Sequence, residues 1–363
     1  AAIWARGILE DECGVDIVFY EPDAYERQRH RDIADPDWAR VVVYAATMDG
    51  VRSALEDARQ ADILVKASGV GVFDELLEAE IPRLARADNT TVFWDVDAPA
   101  TLERMRMNAS DPFRELVGRY DLVLTYGGGT PVVDEYERFG ARQCVPIYNA
   151  LDPATHYPVP HEERFAGDLA FLGNRLPDRE ARVQEFFLAP ARKLPNHRFI
   201  LGGSGWGEHI ELTPNVRYVG HVYTRDHNAF NCSPRMVINI NRDSMAKTGF
   251  SPPTRVFEAA GAAACLICDA WDGIEEFLEP GREVLCAESG EDVVSLVSAV
   301  EPATAARIGE AARNRILAQH TYAHRAALLY GLLHSRPASA VWRSLMSSEV
   351  GCGAKQASIS RLP

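Results

Sequence analysis

An α/β fold with two parallel-sheet domains is what this sequence predicts, and two observations carry it. Short runs rich in Val, Ile, Leu and Phe alternate along the chain with helix-like amphipathic stretches, the order of β-α-β units. From Leu169 onwards each run also stops at a glycine-rich or polar turn. That places polar residues beyond the carboxyl ends of the strands, where open parallel sheets hold their ligands. At 363 residues the chain can bury two separate cores.

The elements follow in order. Ile3, Trp4, Ile8 and Leu9 fall near helical spacing and read as an opening helix. The run VDIVFYE reads as a strand, followed by a polar helix-like stretch to Arg40 and the strand VVVY. A helix over 51–60, the strand ADILVKAS and the helix FDELLEAEIPRLARA come next. TTVFWDVDAP is a strand, 100–107 a helix, YDLVLTYGGG a strand and 132–139 a helix, before RQCVPIYNALDP closes the series. This alternation makes 1–155 one Rossmann-like domain. Such a domain ordinarily opens on a strand; either the sequence begins after it or the domain has lost it. Pro153, Pro158 and Pro160 mark a linker, and a second α/β domain spans 156–319 with its first strand near Asp168. Residues 320–346 carry a helical pattern (Ala326, Leu329, Leu332, Leu333, then Val341, Trp342, Leu345) that would pack back across both domains. Residues 347–363 form a small polar tail.

Bulk properties narrow the function. Hydrophobic content of 47% and charged content of 25% are those of a soluble globular protein. A net charge of −14 without a basic stripe argues against nucleic-acid binding, yet leaves room for an anionic nucleotide held by a few local donors. No apolar run approaches the roughly 20 residues of a membrane span, and the acidic start AAIWARGILEDEC is unlike a secretory signal, so a cytoplasmic location is expected. Seven scattered cysteines do not make a disulfide framework. Cys265 and Cys268 have metal or redox spacing, but their apolar run AAACLICDAW reads as a buried strand without a second pair to complete a zinc site.

The polar turns supply the candidate site. After the strand ending at Leu172, Gly173 permits close backbone approach, Asn174 and Arg175 follow, and Pro177-Asp178 starts a helix whose free N–H groups suit a phosphate. RFILGGSGWG places Gly202, Gly203, Gly205 and Gly207 after a strand, without the order of a dinucleotide fingerprint. His221, Val222 and Tyr223 form a loop suited to bracket a nucleobase. Asn241 and Arg242 follow another strand. In SPPTRVFEAA, Thr254 could cap a helix, with Arg255 beside it and Glu258 placed to accept two hydrogen bonds from a vicinal diol such as ribose. In the first domain Asp95 and Asp97 lie just past a strand. Their spacing admits a divalent metal, a pair of turn caps, or a single catalytic base at Asp97.

Together these segments resemble the CgeB-type glycosyltransferases, named for a spore-maturation protein and related to the retaining glycosyltransferase family 4. The resemblance runs from FWDVDAPATLERM and YDLVLTYGGG through LAFLGNRLPDRE, GGSGW and VGHV to TRVFEAAGAAACLICDAWDGIEEFLEPGREVL, the most specific block. It implies the GT-B fold, two Rossmann-like domains facing across a cleft, with the donor on the C-terminal one. It implies that Glu258 is the second glutamate of the family's E-x7-E pattern, binding the donor ribose. Gly173 and Arg175 then match the donor-phosphate turn, and His221 to Tyr223 the base loop. Phe250 stands where the pattern has its first glutamate, so the side chain that contacts the donor sugar in many relatives is replaced. The expected activity is transfer of a hexose from a nucleoside-diphosphate sugar, of UDP type, to an acceptor hydroxyl. No metal and no cofactor are expected, and Asp97 or Asp95 is the base if the reaction inverts. Two alternatives stand beside it, a sugar-nucleotide epimerase and a protein that binds nucleotide or glycan without turnover. Homo-oligomerisation is left open.

Overall fold

The computed structural model describes residues 15–25, 28, 35–36, 38–69, 71–207 and 210–334. In the N-terminal half, β1 (Ile17–Asp23) and β2 (Ala39–Ala45) pair in parallel, and α1 (Met48–Ala58) follows. Thr47 caps α1, its Oγ1 accepting from the Gly50 N–H at 3.1 Å. Then come β3 (Ile63–Ala67), α2 (Asp74–Glu80), β4 (Thr90–Asp95), α3 (Ala98–Met107), α4 (Phe113–Leu116), β5 (Leu122–Thr125), α5 (Gly129–Arg138) and β6 (Cys144–Pro146). Strands β3 to β6 form a four-stranded parallel sheet in sequence order. Among the described residues no ladder joins β1–β2 to it. The expected opening helix lies outside the described residues.

The C-terminal half begins with β7 (Leu169–Leu172) and α6 (Pro177–Val183), which runs through a π-helical turn at Gln184–Leu188 into α7 (Ala189–Lys193). There follow β8 (Phe199–Gly202), β9 (Val216–Gly220), α8 (His227–Cys232), β10 (Met236–Asn239), α9 (Asp243–Thr248) and α10 (Thr254–Gly261). The half closes with β11 (Leu266–Asp269), β12 (Leu285–Ala287), α11 (Gly290–Ala299) and α12 (Pro302–Gln319). All ladders are parallel, in the order β12-β11-β10-β7-β8-β9. Parallel strands buried on both faces need apolar residues at successive positions. Accordingly Leu169, Phe171, Cys265 and Ile267 face one core while Ala170, Leu266 and Cys268 face the other. The cysteine pair is therefore packing, with burial pushing the Cys265 thiol up to about 12. The sheet reverses direction between β7 and β10, and that switch point opens a crevice at the carboxyl ends.

Helix α13 (Tyr322–His334) returns to the N-terminal half, where Leu329 is buried with Val92, Leu122, Leu124 and Ile147, and Leu332 and Leu333 pack alongside. That much of the expected C-terminal packing is present; Val341, Trp342 and Leu345 lie outside the described residues. The return is anchored by a parallel bridge between Leu151 and Thr321, with the Leu151 N–H donating to His320 O at 2.9 Å.

His320 itself packs against the rings of Phe257 and Phe277, which also touch each other, with Arg325 Nη2 2.9 Å from its Nδ1. Burial, then the Arg325 and Arg315 charges, hold its pKa down to about 4. The unfolded chain protonates this imidazole near pH 6.5 while the folded chain resists. Stability from this group is therefore full above pH 6.5 and lost as pH falls towards 4, at roughly 1.4 kcal/mol per unit. Urea denaturation across that range should show an acid limb that is shallower in His320→Gln. An unchanged slope would remove His320 from the cause.

Candidate functional site

The crevice at the switch point is lined first by the turn after β7. The Gly173 N–H donates to Gly202 O at 3.1 Å, the Arg175 N–H to Ser204 O at 2.9 Å, and Asn174 Oδ1 accepts from the Ser204 N–H at 2.9 Å. The turns after β7 and β8 are thus sewn into one wall, further fixed by Trp206 Nε1 donating to Gly173 O at 2.6 Å. Gly203 has to be glycine: its φ is +116°, and a Cβ there would lie 2.1 Å from Gly173 O. The Arg175 guanidinium engages Glu180 through Nε and Nη2 at 2.9 and 2.8 Å. Asn174 and Arg175, selected from the sequence as ligand groups, are here tied into the wall.

Behind this wall the positive charge comes from the next helix turn. Arg179 lies so close that a Cβ on Gly173 would meet its Nη1 at 3.0 Å. Burial, with the Arg242 charge, lowers its pKa, and its buried Nε has no hydrogen-bond partner. Arg242 holds Asp178 at 2.6 Å from the far side of the crevice. Arg182 reaches across to Asp269 at 2.7 Å, and the Asn241 N–H donates to the same carboxylate at 2.8 Å. Asn241, also selected from the sequence, is buried in this network. Arg242 is paired with Asp178, whereas the half-buried Arg179 has Asn174 O at 3.4 Å and no ion pair among the described residues, so it is the cation left to favour a phosphate. Sequence reading missed Arg179 because it treated the helix start as a source of backbone N–H groups only; its spacing of four from Arg175 was the available signal.

The third side is α10. Pro253, not Thr254, is its N-cap, and Thr254 is the first helical residue, so the expected Thr254 cap is corrected. Proline fits there because the residue before a helix needs extended backbone and no donor. Arg255 is half-buried with Nη2 3.7 Å from Glu258 Oε2, and the other carboxylate oxygen faces His156 Nε2 at 3.9 Å. His227 on α8 completes the cluster, its Nε2 bonded to Val222 O at 3.3 Å. Val222 is buried, while His221 and Tyr223 on either side are exposed and stack edge to face at 4.7 Å. Structure therefore brings Glu258, Arg255 and the 222–223 loop together, and adds His156 and His227.

In the N-terminal half, Asp95 is fully buried at the end of β4. Its carboxylate accepts from Ser68 Oγ at 2.6 Å, the Asp97 N–H at 3.1 Å, Thr101 Oγ1 at 3.1 Å and the Tyr136 hydroxyl. These four bonds, three of them to one oxygen, commit the carboxylate to positioning the loop. Asp97 is exposed at the start of α3 with no capping bond from its side chain.

The halves meet at Phe250. Its N–H donates to Asp272 O at 2.6 Å and its carbonyl accepts from the Gly128 N–H at 2.7 Å. Its φ of +47° is one a non-glycine residue rarely adopts. A Cβ on Gly129 would lie 2.7 Å from its ring, and one on Gly273 2.3 Å from it. The position expected for a sugar-binding glutamate is therefore an aromatic pin between two glycines.

A glycosyl transferase-like family model matches residues 179–331, the crevice included. No curated protein matches this chain. Among solved structures, HepE from Anabaena, in complex with UDP and glucose, aligns with a TM-score of 0.63 at 14% identity, covering 88% of this chain and 100% of its own. Sucrose-phosphate synthase from Thermosynechococcus elongatus gives 0.64 at 12%, covering 93% and 90%. The lipopolysaccharide outer core galactosyltransferase WaaB gives 0.53 at 11%, covering 84% and 88%. These neighbours are GT-B glycosyltransferases, and the GT-B fold is the fold of this chain. The family match and the fold together support a transferase.

Gly273→Ala should lower the thermal midpoint, because the added methyl meets the Phe250 ring and the left-handed backbone at once, costing about 1–3 kcal/mol. In a Phe250→Ala background the steric share disappears. A double-mutant cycle should therefore return a coupling of about 1 kcal/mol; additive losses would show the pin is not in contact.

Proposed function

We propose that this chain transfers a hexose from a nucleoside-diphosphate sugar, of UDP type, to an acceptor hydroxyl, in the manner of the CgeB-type enzymes it resembles. The observation that carries the reading is the placement, across one crevice, of Arg179, which has no ion pair among the described residues, and of Arg242 opposite the carboxylate of Glu258. A diphosphate would lie against the arginines and the N–H groups at the start of α6, a ribose diol against Glu258, and a base along 221–223. HepE has been solved with UDP-glucose bound, which supports a donor of this class on this fold.

Charge builds on the leaving diphosphate as the glycosidic bond breaks, and fixed cations and dipoles stabilise it without reorganising. Asp97, exposed at the start of α3, is the base for the acceptor hydroxyl if the reaction inverts. A second reading, binding without turnover, is favoured by one residue: Phe250 puts an aromatic ring where a sugar-contacting carboxylate is expected.

Thermal stabilisation by UDP, GDP, dTDP and ADP tests the donor site. At a hundredfold excess over Kd the gain should be about 2.7 kcal/mol, greatest for UDP and lost in Glu258→Ala. Arg179→Ala should weaken UDP about tenfold or more while leaving uridine binding unchanged, since it removes a charge-assisted contact to phosphate. Full UDP affinity in both variants would overturn the site. If the reaction inverts, Asp97→Asn should abolish sugar transfer with donor affinity intact. Sugar isomerisation without any acceptor would point to an epimerase, and binding with no turnover to the second reading.

A further inference from the structure

His156, His227 and Glu258 come from three separate parts of the chain, namely the linker, α8 and α10. One ligand atom from each lies within 4.8 Å of the others. Their hydrogen bonds fix where the protons are. Thr155 Oγ1 gives its own proton to Asp152 O at 3.1 Å and lies 2.9 Å from His156 Nδ1, so it accepts the Nδ1–H. The bare lone pair of His156 is then on Nε2. Val222 O can only accept, so His227 carries its proton on Nε2 and its lone pair on Nδ1. These two bare nitrogens, His156 Nε2 and His227 Nδ1, are buried and have no hydrogen-bond partner. Two lone pairs and a carboxylate converge, with each imidazole proton held outward by an oxygen, the pattern found around metal-bound histidines.

We propose that these three residues form a binding site for a transition-metal dication, with Zn2+ the best match. Two imidazoles and a carboxylate suit zinc, while magnesium and calcium prefer oxygen alone. Arg255 is the opposing charge, but it engages Glu258 Oε2 and leaves Oε1 towards His156. Zinc ligands at about 2.1 Å lie roughly 3.4 Å apart, so the cluster closes by roughly an ångström on binding. Glu258 engaged by the metal cannot accept a ribose diol, so the metal would exclude the nucleotide. That competition rests on the donor reading above; metal binding itself does not.

Calorimetric titration of the nucleotide-free full chain with Zn2+ tests it. One site is expected, weakened at least tenfold in His156→Ala, in His227→Ala and in the shape-conserving Glu258→Gln. It should be unaltered in His161→Ala, which removes an exposed imidazole nearby. Visible absorption of bound Co2+, present in the parent and absent from the variants, separates ligand loss from misfolding, which circular dichroism would register. No binding by the parent, or equal affinity in His227→Ala, overturns the site. Saturating Zn2+ should also suppress the stabilisation by UDP; zinc bound here with UDP affinity unchanged would overturn the competition and the ribose placement while the metal site stood.

Discussion

The crevice depends on one buried ion pair. Asp269 ends β11 with no solvent exposure, and burial raises its pKa against the pull of Arg182. Its carboxylate is nevertheless held by Arg182 from α6 and by the Asn241 N–H beyond β10. These contacts join the two strands on one side of the sheet reversal to the helix that follows β7 on the other. Removing either partner would leave a buried charge uncompensated at a cost of about 3–5 kcal/mol. Arg179 and Arg242 are presented from the two sides that this pair ties together, so their spacing is inherited from it.

The N-terminal half repeats the device with different chemistry. Asp95 ends β4 and gathers a serine beyond β3, a backbone N–H, a threonine of α3 and a tyrosine of α5. A carboxylate at a strand end in each half organises the loops that follow. Neither is presented to a ligand, and the groups left facing outward, Asp97 on one side and Glu258 on the other, owe their placement to the buried ones.

The alternation of apolar runs with helix-like stretches was enough to place both sheets, because the shortness of the runs and the Gly and polar turns that close them settle what periodicity does not. Glu258 and Arg255 could be found from the sequence because they sit at a helix start after two prolines, a local signal. Asp95 and Asp97 could not be told apart, since the Ser68 and Tyr136 contacts that separate them come from 27 and 41 residues away. His156 and His227 were passed over for the same reason: each is a lone histidine until the fold brings them together. Thr254 was misjudged because capping residues and first-turn residues draw on overlapping types, and only backbone angles distinguish them.

The contact at Phe250 also sets how the two halves can move. One backbone hydrogen bond, from the Gly128 N–H to Phe250 O, and the Phe250 ring set against Gly129 join them at one small place, and α13 joins them again through Leu329. Sliding would break both junctions at once, whereas rotation about the aromatic ring leaves the first intact. If the halves rotate, Phe250 is where the pivot would lie, and the gap between them would change least beside it and most at the far rim. A bulky acceptor entering from the rim would meet a wide mouth, while the groups around the pivot kept their spacing.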